Sequence, residues 1–147
     1  MGLLATMRAS ASALTAERLR MDVISNNVAN INTTRTETGG PYKRLQPIFM
    51  PDRPDRTFLT VLRAAFGRLA PPKGVFVSKL KEDTTPTKRV LDPGHPDADA
   101  EGFVEYPNVD LVQEMTDMLG ATRAYEANVT VMNAAKSMAL KALDIGA

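Results

Sequence analysis

The sequence predicts an α+β fold that is mostly α, with a long helix at each end and a small β-containing region between them. Three observations carry this. First, proline and glycine are segregated. All ten prolines lie between Pro41 and Pro107, Gly2 alone interrupts the first 38 residues, and Gly120 is the one glycine between Pro107 and Lys141. Second, both ends repeat apolar residues at alternating steps of four and three, the period of a helix packed on another helix. Third, the middle holds short β-branched or aromatic runs bounded by Pro or Gly, which is the pattern of short strands. With 147 residues and 44% apolar side chains, the chain fits one domain and has enough apolar surface for a core.

The N-terminal stripe reads Leu3, Met7, Ser10, Leu14, Glu17, Met21, Ile24, Val28 and Ile31, seven of nine apolar. A helix from Gly2 to Asn30 would be about 43 Å long. Asn30 and Asn32 suit its end, because asparagine tolerates the left-handed conformation there. In the middle, Tyr42–Met50, Val75–Lys81, Thr87–Leu91 and Phe103–Tyr106 read as strands. Thr57–Leu69 fits a helix through Phe58, Leu62, Ala65, Phe66 and Leu69, while Thr57–Leu62 also suits a strand. The C-terminal stripe is Leu111, Met115, Met118, Thr122, Tyr125, Val129, Met132, Lys136, Ala139 and Leu143. Asp110 and Gln113 approximate a capping box at its start, and the helix would span roughly 50 Å. The chain thus divides into residues 1–34, 35–107 and 108–147.

Charge is neutral overall, at a formal +1, but uneven along the chain. Residues 1–74 hold 11 Lys/Arg against 5 Asp/Glu, and residues 75–147 hold 7 against 12. Such polarity suits pairing of the two halves with each other, or with copies and relatives of the chain. It gives no reason to expect nucleic acid as a partner. No stretch approaches the ~18 apolar residues of a membrane span, and the N-terminus lacks the contiguous apolar core of a secretory signal.

Chemistry is sparse. With no cysteine, disulfides, thiol catalysis and cysteine-ligated metals are excluded. The one histidine, His95, sits in the turn-like Asp92-Pro93-Gly94-His95-Pro96-Asp97, and no serine lies in a nucleophile motif. Asp97-Ala98-Asp99-Ala100-Glu101-Gly102 copies the opening of a calcium loop, but Asn108 stands where its twelfth-position glutamate belongs. A solvated turn is the better reading. No cofactor motif is present. Four asparagines within seven residues, Asn26, Asn27, Asn30 and Asn32, are costly in a helix because their amides compete for backbone hydrogen bonds. They mark either a frayed helix end or amides that bond across subunits and fix register.

The run containing them, Ser25-Asn26-Asn27-Val28-Ala29-Asn30-Ile31-Asn32-Thr33-Thr34, resembles the N-terminal signature of the bacterial flagellar rod and hook family. Gly40–Arg44, Asp92–Asp99, Gly102–Val109, Arg123–Asn128 and Lys136–Leu143 extend the resemblance, in order, over nearly the whole chain; residues 49–73 carry no family motif. The resemblance implies a structural, non-enzymatic subunit of the proximal rod. Such subunits are exported unfolded through the flagellar type III apparatus, without a cleaved signal peptide, and polymerise helically in the periplasm. They form a hollow shaft that transmits torque and conducts exported subunits. The two helices would pair as a coiled-coil-like hairpin lining the channel, with residues 35–107 outside it. Other copies, other rod proteins, the hook–basal-body adaptor and the MS-ring are the implied partners. Expected assembly contacts are Leu14, Met21 and Val28; Asn26, Asn27, Asn30 and Asn32; and Met115, Met118, Tyr125, Val129, Met132 and Leu143. Such a hairpin cannot bury both its faces alone, so its ends should order mainly on assembly. A secreted helical effector or adaptor is the alternative reading, and a small hydrolase relying on His95 is another.

Overall fold

A computed structural model describes residues 3–37, 39–52, 58, 62, 65, 66 and 73–145. The elements are α1 (Leu3–Ala29), β1 (Leu45–Pro51), β2 (Val75–Glu82), β3 (Lys88–Leu91), β4 (Phe103–Tyr106) and α2 (Leu111–Ile145). At 27 and 35 residues the helices are about 40 and 52 Å long. Among the described residues, no helix is long and apolar enough to cross a membrane.

The helix ends follow their local chemistry. After Ala29 the backbone tightens, with N–H groups of Asn30, Ile31 and Thr33 bonding to carbonyls of Asn26, Val28 and Asn30 at 3.1–3.3 Å. Asp110 caps α2, its Oδ1 accepting the N–H of Val112 at 2.9 Å and of Gln113 at 3.4 Å. The Gln113 amide, however, donates to Asp117 at 3.3 Å rather than returning to the cap, so the box is half formed.

The two helices pack antiparallel: Asn27, near the end of α1, meets Glu114 near the start of α2, and further along Met21 meets Thr122. On α1 the seam follows the expected stripe. On α2 it runs Glu114, Met118, Ala121, Tyr125, Asn128, Met132, Ala135 and Ala139, all buried or half-buried. Half of the expected stripe is therefore displaced by one residue. Leu111, Met115, Lys136 and Leu143 are exposed, while Thr122 and Val129 flank the seam. The reason is steric. Ala121 and Ala135 are fully buried because small side chains let the helices approach closely, whereas a search for large apolar residues favours their bulkier neighbours.

Among the described residues the middle forms two separate antiparallel pairs, β1 with β2 and β3 with β4, and the first pair carries a bulge between Ile48 and Phe49. α1 also meets β1 and β2. There Ser12 donates to the Ala9 carbonyl at 2.7 Å and accepts the N–H of Val75 at 3.1 Å. Gly74 is required at this contact: a Cβ on it would lie 3.0 Å from the Ser12 Cβ. In the turn joining β3 to β4, Asp99 Oδ1 accepts the N–H groups of Glu101 (2.9 Å) and Phe103 (2.8 Å), and Arg89 reaches Oδ2 at 2.9 Å. These bonds, the Phe103 backbone first, hold the Asp99 carboxyl below its ordinary range. The acidic run is thus built as a turn, and no group of three metal-binding side chains occurs among the described residues. Of the ambiguous stretch 57–69, Phe58, Leu62 and Ala65 are helical and the Phe66 N–H bonds to the Leu62 carbonyl at 3.2 Å. The remainder of that stretch lies outside the described residues.

Candidate assembly interface

The asparagine run divides in two. Asn26 and Asn32 are exposed. Asn30 is used locally, donating to the Asn26 carbonyl at 2.9 Å and accepting from the Thr33 hydroxyl at 3.2 Å. Asn27 is 1% exposed. Its Nδ2 donates to the Leu45 carbonyl at 2.9 Å and to Glu114 Oε2 at 3.1 Å, and its Oδ1 accepts the Leu45 N–H and the Tyr42 hydroxyl, each at 2.9 Å. An amide offers two donors and two acceptor lone pairs, so Asn27 is saturated within its own chain. Within the single chain this side chain joins the end of α1 to β1 and to α2.

Glu114, fully buried, is the other centre of this junction. Its Oε1 accepts from Arg44 Nε and its Oε2 from Asn27. Arg44 Nη2 also lies 3.5 Å from Asp117, and Arg20 lies 3.9 Å from Asp117, with its guanidinium 6.0 Å from the Phe49 ring centre. Burial first, and the negative charge of Glu114 second, push the Tyr42 phenol above its ordinary value and keep it a hydrogen-bond donor. A cleft of about 450 Å³ opens beside the junction, with Arg20, Ile24, Phe49 and Gln113 on its walls. Further out, Thr34 and Arg35 reach Asp97 at 2.8 and 3.9 Å. In these ion pairs Arg20, Arg35 and Arg44 of the basic half meet Asp97, Glu114 and Asp117 of the acidic half. The charge asymmetry of the sequence thus closes partly on itself.

The remaining expected contact residues fall into two sets. Leu14, Met21 and Val28 on α1, and Met118, Tyr125, Val129 and Met132 on α2, are half-buried along or beside the hairpin seam. Met21 Sδ lies 3.7 Å from the Thr122 hydroxyl. Met115 and Leu143 point away from the seam, 59% and 70% exposed. Met115 continues into a stripe with Val112 and Leu119, 73% and 61% exposed, at the i, i+3, i+7 spacing of one helix face. Leu143 shares its end of the hairpin with exposed Leu140 and Leu4. The sequence reading missed Val112, Leu119, Leu140 and Leu4 because they lie off the chosen stripe. It also missed Tyr42, Arg44 and Glu114 as a group. Their signal was present in a carboxylate set on a helix stripe three residues after Leu111 and four before Met118.

Comparison with known proteins gives this geometry its context. Residues 7–35 match the family model for flagella basal body rod protein, and residues 100–145 match that for the C-terminal region of the flagellar basal body rod proteins FlgEFG. The chain is 46% identical to the flagellar basal-body rod protein FlgC of Borreliella burgdorferi, over 99% of this chain and 98% of that protein. It is 47% identical to FlgC of Bacillus subtilis over 96% of each, and 34% identical to FlgC of Aquifex aeolicus over 88% and 86%. The chain belongs to the FlgC family. That family is structural, not enzymatic. Within this chain, the rod-protein match at residues 7–35 covers most of the seam of α1 and the Asn27 junction, and the C-terminal match covers β4 and α2. Both partners of the Asn27–Glu114 bond thus lie inside matched segments.

Proposed function

We infer that this FlgC-family chain is a structural subunit of the flagellar basal-body rod, and that it enters the rod through helix faces its own fold leaves uncovered. The observation that carries the second part is the exposure of Val112, Met115 and Leu119 on one face of α2, with Leu140 and Leu143 toward its far end. Such large apolar side chains on a single chain mark contact surfaces. In this reading residues 1–34 and 108–147 form the helical layer of the rod, and residues 35–107 stand outside it. The rod built this way is the periplasmic proximal shaft, which transmits torque through many packed helices and conducts exported subunits along its axis. Other copies and other rod proteins are its neighbours, with the hook–basal-body adaptor and the MS-ring at the boundaries. The type III apparatus exports the chain without cleaving it.

Met115→Asp and Leu143→Asp test the assembly faces. Both side chains are exposed, so the free chain should keep its helix content by circular dichroism. Each charge placed in a subunit contact should block incorporation into basal bodies and abolish swimming. Full motility with both variants incorporated would refute the assignment. Val129→Asp, at the half-buried flank of the seam, should lose both helix content and assembly.

A further inference from the structure

We propose that Glu114 and Asn27 are positioning residues that select the register of the α1–α2 hairpin, a choice the apolar seam leaves open. The seam of α2 repeats every seven residues: Met118, Tyr125, Met132 and Ala139 in one layer, Glu114, Ala121, Asn128 and Ala135 in the next. On α1, Met7, Leu14, Met21 and Val28 repeat with the same period. A slide of one heptad, about 10.5 Å along the axis, returns the Met118–Ala139 layer and the Met7–Val28 stripe to apolar neighbours. Packing alone therefore discriminates poorly between registers.

The other polar seam residues add nothing across it. Asn128 bonds back to the Ala124 carbonyl of its own helix at 2.8 Å. Glu17 lies 3.9 Å from Arg20 on its own helix, and its Oε2 has no hydrogen-bond partner among the described residues. What remains are Asn27 to Glu114 at 3.1 Å, supported by Arg44, the partly exposed Arg20–Asp117 pair at 3.9 Å and the long Thr122–Met21 contact. In the observed pairing Asn27 faces position 114. A slide one way sets Asn27 against Ala121 and carries Glu114 past the end of α1 at Ala29. A slide the other way sets Asn27 against Pro107. Arg20 would then take over Glu114, leaving the largely buried Arg44 without it. Each alternative strands a buried polar group, so a junction that adds little net attraction still excludes the wrong registers. Because β1 and β2 are attached at Asn27, the same bond sets the height of the outer sheet along the helices.

The absence of cysteine makes the test direct. Spin labels at Arg18→Cys and Lys136→Cys, both exposed positions on opposite helices, report their separation in the full chain by pulsed dipolar spectroscopy. The parent should show one distance population. Glu114→Ala should retain helix content and show a second population, displaced by up to about 10 Å as the labels slide along the axis. If Glu114→Ala loses its helices, the apolar replacement Asn27→Leu, Arg44→Met, Glu114→Leu is measured instead, and it should be helical with two populations. A single unchanged distance in a helical variant would overturn the proposal. Loss of helix in the apolar variant would also overturn it, because the junction would then hold the hairpin together rather than choose its register.

Discussion

Removing the amide at position 27 isolates what the buried junction contributes. Asn27→Ala deletes three bonds to neutral partners, at Leu45 N–H, Leu45 C=O and Tyr42, and one to the carboxylate of Glu114. Neutral bonds contribute about 1 kcal/mol each and one to a charged group about 1.5–3 kcal/mol. Water entering the vacated space recovers part of this, so the net loss should be about 3–5 kcal/mol. Against a total stability of about 5–15 kcal/mol, that is a large fraction. Urea unfolding of the full chain, followed by far-ultraviolet circular dichroism, reads it out. With a slope of about 2 kcal/mol/M the midpoint should fall by roughly 2 M. Asn26→Ala is the matched control. It makes the same exchange one residue earlier on the helix, at an exposed position, and should stay within about 0.5 kcal/mol of the parent. Asn27→Asp keeps the shape but sets a second carboxylate against Glu114, and should be at least as damaging as the alanine. If Asn27→Ala and Asn26→Ala unfold within about 1 kcal/mol of each other, the partners left behind at the junction carry no penalty for losing the amide, which refutes the cost assigned to stranded buried polar groups.

Two further outcomes follow from the same geometry. The Tyr42 phenol is raised above its ordinary pKa of about 10. Its contribution is therefore fully present below that pH and lost as the pH climbs through the folded-state value. Urea midpoints measured from about pH 8 upward should fall more steeply in the parent than in Tyr42→Phe, and parallel curves would refute this. Gly74→Ala should cost about 1–3 kcal/mol by driving a methyl into Ser12. In a Ser12→Ala background the loss should be smaller, and a double-mutant cycle showing strict additivity would remove the contact from the account.

Much of this architecture was legible from spacing alone. The four-and-three stripes marked both helices to within a residue or two of Leu3–Ala29 and Leu111–Ile145, and Pro and Gly bracketed the four strands. β1 begins at Leu45 rather than Tyr42, whose N–H bonds to the Thr33 carbonyl at 3.0 Å rather than to a neighbouring strand. The α2 seam was misplaced by one residue in alternate layers. A pattern search weighs hydrophobicity, while close helix contact selects small volume at Ala121 and Ala135. Met115 and Leu143, expected as assembly contacts, are exposed on the single chain.

The asparagine run shows the division most clearly. Four amides in seven residues announced, from sequence alone, that the end of the first helix does something besides pack. Which of them is buried, and against what, depended on residues 18 and 87 positions away, Leu45 and Glu114, being brought to one point. Periodicity is a local property, set by about 3.6 residues per turn and the alternation of strands, so the sequence by itself determined the elements and the stripes they carry. Hydrogen-bond saturation of a buried amide is a property of three elements meeting at once. Only the tertiary structure decided that Asn27 turns inward as a joint while Asn26, one residue away, faces out.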